Sequence, residues 1–307
     1  MKVDDTEKYY DFSVDSYANK YLSPEENELF AYGSLDLGYR RQQGIDDDDD
    51  PYLKLGGGVG FGRVFNATPL ADALRVVEAL KELGIVIREP SDQTYLAMSA
   101  VIARESEFKS QYGGGYKQHW LSELEKVLQQ AGILSNNMLG AAGVIKMHEI
   151  LLQERISIRK HGWMVRGGIG FVASNYDGSD SNPSLDAAFE YALPIGHRFQ
   201  FLELAKYSTI LDDELIHQFS NTMSATYEVS DRIDWENGWN IDMIFPNEDG
   251  AKDRVTNQLR SIFHYYLSNR ISADFSLTFT HVEDDIDDNN NDDVETSIFM
   301  GVTYRLR

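Results

Sequence analysis

The chain has no cysteine, which removes disulfides, thiol nucleophiles and thiolate metal sites from consideration. It has no apolar run of about 18 residues, so no transmembrane helix is expected; a membrane-spanning sheet interleaves its apolar residues with polar ones and escapes that test. The opening residues, MKVDDTEKYYDFS, lack the apolar core of a signal peptide. An exported protein would then be a mature chain with an added Met. Basic residues are scarce, 28 Lys and Arg against 50 Asp and Glu for a net charge of −22, which makes nucleic acid an improbable partner.

The placement of that charge is informative. Residues 67–161 hold equal numbers of acids and bases, so the excess lies elsewhere. Asp46, Asp47, Asp48, Asp49 and Asp50 form an unbroken run, and residues 284–293 hold another dense set. Smaller acidic sets occur at Asp177/Asp180, Asp212/Asp213/Glu214 and Glu248/Asp249/Asp253.

What is present is a period of two. Ile271, Ala273, Phe275, Leu277 and Phe279 alternate with Ser272, Asp274, Ser276, Thr278 and Thr280, so one face of the segment is apolar and the other polar. Residues 233–245 and 295–307 repeat the pattern. Strands are expected at 29–41, 52–65, 163–174, 184–194, 197–210, 214–229, 232–245, 254–267, 270–283 and 295–307. The segment 197–210 breaks parity, because Phe199 and Phe201 oppose Leu202 and Leu204, and a bulge is expected there. Residues 1–28 read as an N-terminal extension, although Tyr10, Phe12 and Val14 alternate with Asp11, Ser13 and Asp15.

Between the second and third of these strands the period changes to 3.6. Thr68-Pro69 reads as a helix start, with Leu70, Leu74, Val77, Leu80 and Leu83 on one face up to Gly84. Further helices are expected from Ser91 to about Gln111, around Trp120 to Leu128, and from about Leu139 to Arg159. Together they make a four-helix insertion over 67–161.

Long strands with one apolar and one polar face, joined by alternating short and long acidic connections, resemble bacterial outer-membrane β-barrels as a class. A soluble antiparallel sandwich would alternate too, but its strands are shorter. The resemblance implies a mainly β fold, with a transmembrane barrel of about ten antiparallel strands (29–66 and 162–307) and a periplasmic helical domain inserted between strands 2 and 3. The short turns at 194–196, 230–231 and 268–269 then belong to the periplasmic end, and the acidic connections 42–51, 175–183, 211–213, 246–253 and 284–294 to the outer end. The C-terminus departs from the class, ending Tyr304-Arg305-Leu306-Arg307 rather than on an aromatic residue.

Several constellations follow from parity. Asp36, Arg40, Lys54, Arg166, Asp186, Glu190, Asp234, Glu236, Asp242, Arg260, His264, Asp274 and Arg305 are expected to face the lumen as a paired polar network; the other reading is a narrow polar path or porin-like channel. Gly56, Gly58, Gly60, Gly62, Gly168 and Gly170 share the lumen parity, either allowing sharp coiling or clearing one wall for bulkier residues opposite. Their spacing does not match a nucleotide-binding loop. Barrel enzymes of the protease type need an Asp-His arrangement at the outer rim, and His217, near the 212–214 acids, has the lipid-side parity instead. His148-Glu149 lacks the second His of a zincin. The Asp46–Asp50 run is at most a loose Ca²⁺ or Mg²⁺ site, with no ordered metal and no cofactor expected. Tyr95, Tyr112, Tyr116 and Trp120 on the insertion are candidates for contact with a periplasmic partner, a protein or peptidoglycan. The expected function is non-enzymatic, with lipid of the outer membrane around the barrel.

Overall fold

The alternation is realised as strands whose two faces differ in kind. A computed structural model describes residues 10–23, 27–41, 51–154, 157–174, 182–211, 215–247, 252–268, 271–284 and 293–304. Eleven strands occur among these residues: β1 (Tyr10–Ser23), β2 (Asn27–Arg41), β3 (Tyr52–Asn66), β4 (Lys160–Ser174), β5 (Asn182–Ile195), β6 (Phe199–Ile210), β7 (Ile216–Ser230), β8 (Ile233–Pro246), β9 (Arg254–Ser268), β10 (Ile271–Asp284) and β11 (Glu295–Tyr304). They form one sheet in chain order, each antiparallel to the next. The sheet curls strongly: β1 side chains cross the interior to β5 and β6, with Lys206 Nζ 3.7 Å from Asp15 and Tyr17 donating to Glu190 at 3.5 Å.

The outward face is oily. Leu55, Val59, Phe61 and Phe65 of β3 are 45–61 % exposed, while Lys54 on the inward parity is 8 % exposed. Ser184, Gln200, Ser272 and Ser276 are buried on the inward side. A soluble sandwich would bury its apolar face; here the polar face is enclosed, which is the arrangement hydrocarbon requires.

Four expectations are corrected. Residues 10–23 are a strand and not part of an extension; Tyr and Asp alternate there as the lumen face needs, with Asp15, Tyr17, Asn19 and Tyr21 turned inward. The count is therefore eleven rather than ten, and the helical insertion follows the third strand, β3, not the second. No bulge interrupts β6, whose register with β5 and β7 is continuous. Instead Leu202 and Leu204 face the interior and Glu203 faces outward.

The sorting of the two ends survives the extra strand, because antiparallel alternation downstream does not depend on how many strands come first. The helical block and the turns after β5, β7 and β9 lie at one end of the sheet. The connections after β2, β4, β6, β8 and β10 lie at the other. Most residues of these acidic connections, including Asp46–Asp50, fall outside the described residues.

The insertion contains α1 (Thr68–Glu82), α2 (Asp92–Ala103), α3 (Glu105–Tyr112), α4 (Tyr116–Gln130) and α5 (Gly140–Leu152). The expected helix 91–111 breaks at Arg104, and the expected 139–159 helix stops at Leu152. Ser91 caps α2, accepting the Thr94 N–H at 3.3 Å. Thr68 does not cap α1; its hydroxyl accepts the Arg159 N–H at 2.9 Å and so ties the entry of the block to its exit. Val76, Leu80, Met98, Trp120, Leu124, Leu128, Met147 and Ile150 form a core of its own, whereas Leu83, expected on the buried face, is exposed.

Candidate functional site

Two polar sites result, one in the interior and one where the helical block meets the sheet. The interior site is built on the glycine parity of β3 and β4. A Cβ on Gly60 would overlap the Phe30 ring from β2, and one on Gly168 would lie 2.7 Å from the Tyr32 hydroxyl. One on Gly170 would lie 2.7 Å from both Asp186 Oδ2 and Lys54 Cε. The glycines clear space that bulkier inward residues of β2, β3 and β5 occupy. Gly56 abuts Ser34, Gly58 abuts the β4 backbone, and Gly62, with φ +96°, accepts the Tyr21 hydroxyl at 3.3 Å.

In that space Lys54 Nζ donates to Asp186 at 2.6 Å and to Ser208 at 3.1 Å, and Asp186 also accepts from Ser184 at 2.9 Å and Ser208 at 2.6 Å. Lys160 pairs with Glu190 at 3.3 Å. Arg166 lies over the Tyr17 ring at 4.0 Å, with Tyr32 at 5.8 Å. Asp36 and Asp242 line the same cavity, of about 780 Å³, whose wall extends along β4 from Lys160 to Arg166 and onto β1, β2 and β5–β8. An array of this kind is favourable only because its members are mutually paired; losing one partner strands the other.

The remaining expected lumen residues do not join it. His264 and Asp274 form a separate pair on β9 and β10 at 2.7 Å, with Thr303 of β11 donating to Asp274 at 2.7 Å. Glu236 and Arg260 stand on the inward parity of β8 and β9. Asp234 belongs to the second site. The side chain of Arg40, and Arg305, fall outside the described residues. Asp15 and Tyr17 of β1 and Tyr32 of β2 share the polar parity of their strands yet are not among the expected lumen residues, although β1 alternates as clearly as the other strands. Neither are Lys160, Lys206 and Ser208, whose parity could have been read once β4 and β6 were placed.

The second site joins the helical block to the short-turn end. Glu228, near the end of β7, accepts from Arg75 of α1 and lies 3.5 Å from Arg159; both cations are buried. Arg75 also reaches Glu154 at 3.4 Å. Asp234 accepts from Ser157 at 2.6 Å and Tyr266 at 2.8 Å, Arg159 Nε donates to the His197 carbonyl at 3.1 Å, and Glu78 lies 3.2 Å from His197. Nothing local marks these residues in the sequence, since the partners come from five segments. Burial pushes the Asp72 carboxyl up to about 6, against the pull of Arg75 and Arg159. Burial also lowers His197, with Glu78 opposing. Burial disfavours the Arg75 cation, yet Glu228 outweighs it and holds its pKa up.

Asp72 gives a pH prediction. Its pKa is higher folded than unfolded, so its contribution to stability is complete below about 4 and is lost as pH rises through about 6. Asp72→Asn is therefore expected to stabilise the attached block by about 2 kcal/mol at pH 8, allowing for partial solvent screening. The gap should close between pH 6 and 4. Denaturation of both forms across that range checks it, and equal stability at pH 8 would refute the assignment.

On the helical block, Trp120 is 2 % exposed and its indole N–H donates to the Val101 carbonyl at 2.9 Å. It is a core residue with no face for a partner. Tyr112 is exposed and stacks on His119 at 4.0 Å, Tyr116 bonds Glu105 at 2.9 Å, and Tyr95 bonds Glu89 at 2.7 Å. His217 faces outward and bonds Tyr207 at 2.9 Å. Among the described residues no cluster of three or more His, Asp or Glu is set to hold a metal.

No family model matches the sequence, and no curated protein matches it. Solved structures similar along most of the chain include a loop L8 deletion mutant of OmpT of Vibrio cholerae, at 11 % identity and TM-score 0.34, covering 95 % of this chain and 89 % of that one. The NanC porin is similar at 7 % identity and TM-score 0.33, covering 96 % and 94 %. In-vitro folded OmpT of Vibrio cholerae is similar at 10 % and 0.33, covering 96 % and 95 %. At TM-scores this low the likeness adds nothing to what the sheet itself displays. The inside-out sheet by itself gives this chain a class-level resemblance to bacterial outer-membrane β-barrels.

Proposed function

We propose that the chain is a non-enzymatic outer-membrane protein whose helical block lies on the periplasmic side and docks a partner of the envelope, such as assembly or export machinery or peptidoglycan. The observation that carries this reading is the buried Arg75–Glu228–Arg159 attachment. It mounts a separately cored domain rigidly at the mouth of a wall that needs no such domain to be stable. A photo-crosslinking residue at the exposed Tyr112 is expected to yield a discrete adduct in intact cells, whereas the same probe at the buried Trp120 should yield none. A chain with no adduct from Tyr112 or any other exposed position of the block would sink the proposal.

A second reading is favoured by the interior cavity of about 780 Å³, lined by Lys54, Asp186, Arg166 and Glu190. It makes the lumen a narrow polar path. Steady conductance in planar bilayers is the expected result, and a silent inserted chain would dispose of it.

A further inference from the structure

The outward wall is not uniformly oily. Between the strand ends, five outward positions on β6–β9 are polar: Glu203, Asn221, Asn237, Asn257 and Ser261. The outward positions of β4 and β5 over 163–171 and 185–193, and of β10 and β11 over 273–279 and 298–302, carry no charged or amide side chain. Compared with β4, β5, β10 and β11 over these spans, the amide and carboxylate positions are gathered on four adjacent strands.

Register brings them together. Ala205, Asn221, Ile241 and Asn257 lie in one row across the four strands, and Ala225, Asn237 and Ser261 lie in a row two positions along. Glu203 stands opposite Met223 in the row between. Strand spacing and rise give a patch of roughly 14 Å by 14 Å. Ser261 accepts the Trp235 indole N–H at 2.9 Å. Among the described residues Glu203, Asn221, Asn237 and Asn257 make no side-chain hydrogen bond or ion pair, and the Asn221 amide oxygen is shut off from solvent without a partner.

Polar side chains facing acyl chains are costly unless something else faces them. A patch that mixes amides with small residues, here Ala205 and Ala225, is what lets two walls approach and bond inside a membrane. Asparagine carries both donor and acceptor, so the same residues on two copies satisfy one another. We propose that the outward face of β6–β9 is a self-association surface, against which a second copy of this chain lays the same face about a twofold axis along the membrane normal. The amide rows, Asn221 with Asn257 and Asn237 with Ser261, are self-complementary, as an isologous contact demands. This inference rests on the reading that the wall faces lipid.

The absence of cysteine makes the test direct. Chains carrying Ala225→Cys, or Val59→Cys on the far wall, are reconstituted in phosphatidylcholine vesicles and oxidised. Ala225→Cys is expected to give at least tenfold more disulfide-linked dimer. The triple variant Asn221→Leu, Asn237→Leu, Asn257→Leu should shift the monomer–dimer balance at least tenfold towards monomer. A chain that inserts but stays monomeric, or that crosslinks equally from both walls, overturns the second-copy assignment and leaves the membrane reading intact. A chain that remains soluble without detergent and does not enter vesicles overturns the membrane reading itself. Should the triple variant fail to insert, the cysteine pair decides, because it leaves the amides in place.

Discussion

Glu228→Gln is expected to loosen the helical block from the sheet by about 3–5 kcal/mol, the scale for breaking a buried ion pair on one side only. The Glu228 side chain is 4 % exposed and faces Arg75 at 7 % and Arg159 at 0 %. Removing its charge leaves Arg159, among the described residues, with no carboxylate in ion-pair range, and Arg75 with Glu154 at 3.4 Å and Asp231 at 4.0 Å. The block keeps its own core, built on Leu80, Trp120 and Met147, so it should stay folded while its attachment opens. Hydrogen exchange would read this as lost protection at 157–160 and 228–234 with retained protection in α1 and α4. The double change Glu228→Leu with Arg159→Leu should recover much of the loss, since a buried pair replaced together by apolar groups is often neutral. Unchanged protection at the junction in Glu228→Gln would show that the cluster does not hold the block.

Gly58→Ala should cost roughly 3 kcal/mol, at the upper end for overpacking a filled site. The added Cβ would overlap the Gly167 carbonyl and lie 2.6 Å from Gly168 Cα, both backbone, so no rotamer change relieves it. β3 and β4 would have to separate at that pair of positions. Gly33→Ala is the control. It lies across the β2–β3 ladder from Gly57 on the outward face, and its Cβ would come no closer than 3.9 Å to a neighbour, so a change within about 0.5 kcal/mol is expected. Urea unfolding of both variants in detergent distinguishes them, and equal stabilities would remove the close-approach role of the β3 glycines.

Both expectations concern groups that a sequence pattern presents very differently. The glycine parity of β3 and β4 could be read directly, because Gly56, Gly58, Gly60 and Gly62 repeat at a spacing of two. The choice between coiling and clearance could not, since it needed Phe30, Tyr32 and Lys54 placed opposite. Glu228 carries no local sign of importance. It reads as one more inward polar residue until Arg75 and Arg159, 153 and 69 positions away, are brought to it. The residues 10–23 are legible as an alternating segment, with a polar parity that holds Asp15, Tyr17 and Tyr21. Those side chains are what an enclosed polar interior takes.

Sequence alone determined which side chains share a face and which connections share an end. In a strand successive residues must point oppositely, and in an antiparallel meander successive connections must alternate. Tertiary structure alone decided who pairs with whom. Lys54 finds Asp186 and Ser208, β1 lays Asp15 and Tyr17 across to β6 and β5, and the helical block is seated on Glu228. These partners are distant in the chain, and their meeting depends on how far the sheet coils and how its strands are staggered, quantities that no local period encodes.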